Sequence, residues 1–218
     1  MGNRSYEHDL RQIDRDVATL FSFVAQAITS AVGSIVDNDR SAGQAVVDRD
    51  DLIDSLYREI EDLAQRQFAL HAPAALDMKY LVAVLRFVPE LERSGDLAEH
   101  VGRRAGFGIL ESVSPRIKSM TARMGNLVVL MWTQLVQAYE SRDTDLEARF
   151  RLLDDEVDDL HVGLIAEIVE SDGIATATAI ELALTCRFLE RLGDHAVNVA
   201  RRLGTLTVGV PQRNHEPN

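Results

Sequence analysis

The residues in this chain best suited to chemistry are carboxylates. Asp50 and Asp54, Glu92 and Asp96, Asp154 and Asp158, and Glu190 and Asp194 form four acidic pairs, each with its members four positions apart. On a helix that spacing stacks both carboxylates on one face, about one turn apart. With 35 acids in 218 residues, roughly five or six such pairs arise by chance, so one pair alone means nothing. Two features raise these above chance. They fall into two sets, Asp50/Asp54 with Glu92/Asp96 and Asp154/Asp158 with Glu190/Asp194, and they continue apolar stripes: Leu81, Leu85 and Val88 lead to Glu92, and Leu182 and Cys186 lead to Glu190. Carboxylates crowded on a half-buried face repel one another and lose hydration, costs that cations or hydrogen bonds must offset. Hard oxygen donors suit Mg, Mn, Ca or Fe, and facing helices of bundles commonly build such centres. The competing reading pairs Glu92 and Glu190 with Arg86, Arg93, Arg187 or Arg191 in structural salt bridges.

Further candidates lie beside these pairs. His100 follows Asp96 by four residues and His161 follows Asp158 by three, so each can share a face with acids. Glu99 and Asn198, the latter at the position matching His100, complete the set of secondary ligand candidates. His195 adjoins Asp194 but points about 100° away along the helix. No catalytic residue is identified: there is no glycine-rich nucleotide loop, GxSxG elbow or HExxH pair. Cys186, the single cysteine, reads as a packing residue, as do Met124, Met131 and Trp132.

The elements that must position the carboxylates are helices. No segment alternates apolar and polar residues long enough to suggest a strand, and turn formers at 37–39, 71–73, 108–115, 141–143 and 172–173 separate six helices near 6–37, 41–70, 74–106, 115–140, 143–171 and 174–206. Comparing 91–104 (LERSGDLAEHVGRR) with 189–202 (LERLGDHAVNVARR) gives nine identities in fourteen positions, where about one is expected from average residue usage. An internal repeat follows. The expected fold is all-α, two tandem three-helix bundles spanning 6–108 and 115–206, with a disordered tail at 209–218.

Composition removes several classes of function. The net charge of -12 repels phosphate backbones, which argues against direct binding of nucleic acid. A lone cysteine permits neither an intramolecular disulfide nor a cysteine-rich zinc site, and the polar first ten residues carry no export signal. A cytoplasmic setting is expected. The uncharged stretch from Val17 to Val36 is long enough to cross a bilayer, but its apolar residues recur at three-and-four spacing around a polar face, as in a buried bundle helix.

The repeated Leu-Glu-Arg-x-Gly-Asp, with an upstream Asp-x-x-(Ile/Val)-Asp in each half, resembles the PhoU family of phosphate-signalling proteins, from about Tyr6 to Leu206. Pro73 followed by Asp77-Met78-Lys79 is similar to the family's lead into the third helix, with lysine in place of arginine. The resemblance implies three-helix repeats whose acidic motifs hold metal ions: Asp50, Asp54, Glu92 and Asp96 in one site, Asp154, Asp158, Glu190 and Asp194 in the other. The metal would be iron, manganese, magnesium or zinc. It further implies a non-enzymatic, dimeric negative regulator of the phosphate-starvation response, with peripheral membrane association, which couples the Pst transporter and its ATPase to a PhoR-type histidine kinase. The rival readings are a carboxylate-bridged iron-binding or storage bundle, and an accessory protein of another phosphate permease. Pro89, inside the third helix, removes one backbone hydrogen bond just before Glu92, so the second set is expected to bind metal more reliably.

Overall fold

Apolar residues at three-and-four spacing set the first helix. Leu10, Ile13, Val17, Leu20, Phe21, Val24, Ile28, Ala31 and Ile35 are all buried along α1 (Gly2–Val36), which packs on helices of both halves of the chain. The computed structural model describes residues 2–71, 73–143 and 145–206, with side chains from Ser5 onward; the expected tail at 209–218 lies outside them. After α1 come α2 (Arg40–Val47), α3 (Asp50–Leu70), α4 (Ala75–Ala105), α5 (Pro115–Ser141), α6 (Glu147–Glu170) and α7 (Thr176–Leu203), closed by a 3-10 turn, Gly204–Leu206. No strand occurs among the described residues.

The fold is therefore all-α, with the helix-helix-helix plan run twice. Its one local departure is that the expected helix 41–70 is two helices, broken at Asp48 and Arg49. The short α2 opens on Asp39, whose side chain accepts from the backbone N–H groups of Ser41 and Ala42. It lies against the end of α4, where a Cβ on Gly43 would collide with the Gly102 carbonyl. The chain then turns, so that Asp50 and Asp51 open α3, where the helix dipole favours negative charge.

Pro89 sits inside α4 without ending it. It supplies no N–H, and one turn earlier the guanidinium of Arg202 donates to the Arg86 carbonyl. The second half starts cleanly, with Ser114 capping α5 through Ile117 N–H and Pro115 at the first helical position. Trp132 is fully buried and donates its indole N–H to Leu192 O at 3.0 Å. Cys186 is buried, and burial pushes its thiol up to about 12.

Helix pairs α1·α5 and α4·α7 join the two halves around one continuous core. Two buried polar groups tie the seam. Asp14, 3% exposed, accepts from Tyr139 Oη at 2.7 Å and from Arg142 Nη2 at 2.7 Å, with Arg142 also over the Tyr139 ring. Across the other contact, Glu90 of α4 meets His195 Nδ1 of α7 at 2.5 Å and Arg202 at 3.3 Å. His195 thus faces the seam, away from the acidic pairs.

Candidate metal centres

Two helices build each acidic set. In the first, Asp50 stands at the start of α3, Asp54 one turn later, and Asp96 on the facing α4; one carboxylate oxygen from each lies within 4.8 Å of the others. Pro89 does not prevent this convergence. Burial, followed by the charges of Asp96, Glu99 and Asp54, pushes the Asp50 carboxyl up to about 6. Glu92 and Asp96 are raised by the same causes in the same order: burial first, then neighbouring acids.

The second set is more strongly perturbed. Burial, then the charges of Asp158 and Asp194, pushes the Asp154 carboxyl up to about 7. Asp158 and Glu190 are raised, with burial again the largest cause. Two oxygens here, Asp154 Oδ1 and Glu190 Oε2, are buried with no hydrogen-bond partner. Such atoms leave a desolvation cost uncompensated, and oxygen donors without protons suit a hard cation. Gly193 makes the crowding feasible, since it lets Asp154 lie directly against α7. The residues present therefore fit a metal ion at the first set, where Asp50, Asp54 and Asp96 converge without Glu92; in the second set no three carboxylate oxygens come so close among the described residues, and its fit rests on the two orphaned oxygens alone.

The arginine alternative is present only in part. Arg58 donates to Asp54 Oδ2 at 2.6 Å and Arg187 pairs with Glu190, yet both guanidinium groups are mostly exposed, and burial keeps the Glu190 carboxyl raised despite its arginine. Arg93 turns instead to Glu90 at 3.9 Å. Among the secondary candidates, His161 is close enough to favour ionisation of Asp158 and Glu190. His100 is exposed, stacks on Phe188 with ring centres 5.2 Å apart and approaches Glu99 at 3.8 Å, though its charge still reaches Asp96. Glu99 is engaged by Arg103, and Asn198 accepts from Arg201 at 2.8 Å.

Sequence reasoning passed over Glu90, although its place on α4 carries the seam contact to His195. It also gave no role to Gly95 and Gly193, although both are identical in the repeat and stand just before an acid.

Comparisons with known proteins agree with the double plan. The PhoU domain family matches residues 17–105 and again 121–203. The phosphate-specific transport system accessory protein PhoU homologue of Caulobacter vibrioides (strain NA1000 / CB15N) is 31% identical over 202 residues, 90% of this chain and 87% of that one. PhoU homologue 1 of Thermotoga maritima is 26% identical over 208 residues, covering 94% and 89%. The crystal structure of PhoU from Pseudomonas aeruginosa superposes with a TM-score of 0.85 at 29% identity, covering 92% of this chain and 98% of that one.

Proposed function

Because the chain belongs to the PhoU family, we propose that it is a non-enzymatic accessory protein of a phosphate-specific transport system and a negative regulator of the phosphate-starvation response. The single observation that carries this reading is the double family match, with both acidic sets falling inside the matched spans. The relatives named above are accessory proteins of phosphate transport, and the transport role comes from them. The finer reading is that the chain, as a cytoplasmic homodimer at the membrane face, couples the Pst transporter and its ATPase to a PhoR-type histidine kinase.

Metal ions belong to this reading. Asp50, Asp54, Glu92 and Asp96 would hold one, and Asp154, Asp158, Glu190 and Asp194 the other, with manganese, iron, magnesium or zinc as the cation. A bound cation supplies positive charge that neutralises the crowded acids, not turnover. The chain's own residues do the rest: Gly193 lets Asp154 lie against α7, and Arg58 and Arg187 screen the rims.

The test is genetic. Deletion of the gene is expected to raise expression of phosphate-starvation genes in phosphate-rich medium, with restoration by the intact gene. Unchanged expression in a host without a second copy would contradict the regulatory reading.

A further inference from the structure

The outer face of α6 is unlike the outer face of its counterpart in the first repeat. Leu152, Val162 and Val169 are 71%, 70% and 79% exposed. They share a stripe with Asp155, Asp159 and Ala166, all exposed, within an arc of about 100° on a helix of 3.6 residues per turn. The repeat aligns Asp154 with Asp50, and in that register the same six positions on and before α3 are Asp48, Asp51, Ser55, Arg58, Asp62 and Gln65. These too are exposed. One structural unit thus appears twice, once with these six positions all polar and once with three of them large and apolar in water.

Helix stability does not explain the difference. Valine is a poorer helix former than the arginine and glutamine at the matching positions, and none of the three side chains contributes to the core. Three large exposed apolar side chains on one face, spaced two to three turns apart, are suited to contact with another elongated surface. The acids interleaved with them narrow the choice of partner. A second copy of this chain would bring Asp155 and Asp159 of each molecule to a shared contact, between chains of net charge -12. An anionic membrane surface is repelled by the same charges. A helix carrying both apolar residues and lysine or arginine satisfies both halves of the stripe: its apolar side chains cover Leu152, Val162 and Val169 while its cations meet Asp155 and Asp159.

We propose that the outer face of α6 is a docking surface for a basic amphipathic helix on another protein. The seventeen-residue separation of Leu152 and Val169 spans about 25 Å at 1.5 Å per residue, so the partner helix makes about five turns of contact. None of the six residues of this stripe belongs to the acidic sets, although Asp155 and Asp159 adjoin Asp154 and Asp158.

The experiment uses the full chain and a synthetic eighteen-residue helical peptide with leucines at three-and-four spacing flanked by lysines, followed by fluorescence anisotropy. Replacing Leu152→Asp, Val162→Arg and Val169→Gln together installs the first repeat's residues and is expected to weaken binding at least tenfold with the melting temperature unchanged. Asp155→Asn with Asp159→Asn keeps the apolar stripe and is expected to weaken binding and flatten its dependence on salt. A peptide with glutamates in place of the lysines is expected to bind at least tenfold more weakly than the parent. Unchanged affinity in the triple variant overturns the proposal. So does either of two other occupants: a dimer in sedimentation velocity that the triple variant abolishes, or co-sedimentation with phosphatidylcholine/phosphatidylglycerol vesicles that it abolishes.

Discussion

Gly193 and Asp154 belong to helices that touch where a side chain would not fit: a Cβ on Gly193 would stand 2.6 Å from Asp154 Oδ1. The glycine ahead of the motif aspartate is therefore a positioning residue for the carboxylate on the facing helix. Its counterpart Gly95 is different, because a Cβ there would meet Ile53 Cγ2 at 3.0 Å and Asp50 Oδ1 only at 3.6 Å. Gly193→Ala is expected to weaken metal binding at the second set by about 10- to 100-fold, as displaced ligand supports generally do. Gly95→Ala is expected to cost about 1–3 kcal/mol of stability through overpacking, with a smaller change in metal affinity. Titration calorimetry with Mn²⁺, beside urea unfolding, measures both; metal affinity at the second set unmoved by Gly193→Ala would contradict the positioning role.

Stability should depend on pH with a sign set by the raised carboxyls. Asp154 rises from 3.8 to about 7 and Asp50 from 3.8 to about 6 on folding. The folded state therefore holds protons that the unfolded state has released. Metal-free protein is expected to be most stable, as far as these groups are concerned, near pH 4, and to lose that contribution as pH rises towards 6 for Asp50 and 7 for Asp154. A bound cation reverses the trend, because it requires the ionised acids. Thermal unfolding from pH 4.5 to 8, with and without EDTA, is expected to give diverging curves. Parallel curves would mean that no cation offsets the acids.

Asp14 makes the seam between the repeats vulnerable. It is buried and receives hydrogen bonds from Arg142 and Tyr139, so Asp14→Ala leaves a half-buried guanidinium without its carboxylate. The expected loss is about 3–5 kcal/mol. The exposed pair Arg151–Glu147 serves as control, and Glu147→Ala is expected to cost less than about 1 kcal/mol. Urea unfolding of the two variants checks the contrast.

The double three-helix plan was readable because repetition and the 3.6-residue period are both properties of the chain order itself. The acidic pairs were readable as helix faces, and Asp50, Asp54 and Asp96 do converge. What the sequence concealed depends on contacts between distant helices. The break at Asp48 and Arg49 accompanies the docking of Gly43 against Gly102, 59 positions away. Glu90 looks like one more helix acid until α7 brings His195 and Arg202 to it. The membrane-length helix α1 shows the same principle: its composition would allow a span, but α4 and α5 cover its apolar face.

Metal content of the full chain, purified without a chelating column and loaded with Mn²⁺ or Fe²⁺ before dialysis, tests the central claim most directly. Asp54→Asn with Asp96→Asn is expected to remove the metal of the first set only, and Asp158→Asn with Asp194→Asn that of the second. The four changes together should leave none, while the metal-free fold keeps or gains stability as like charges are relieved. Metal retained in full by the fourfold variant, or wild-type protein that emerges from dialysis without metal, would contradict the assignment of these carboxylates as ligands.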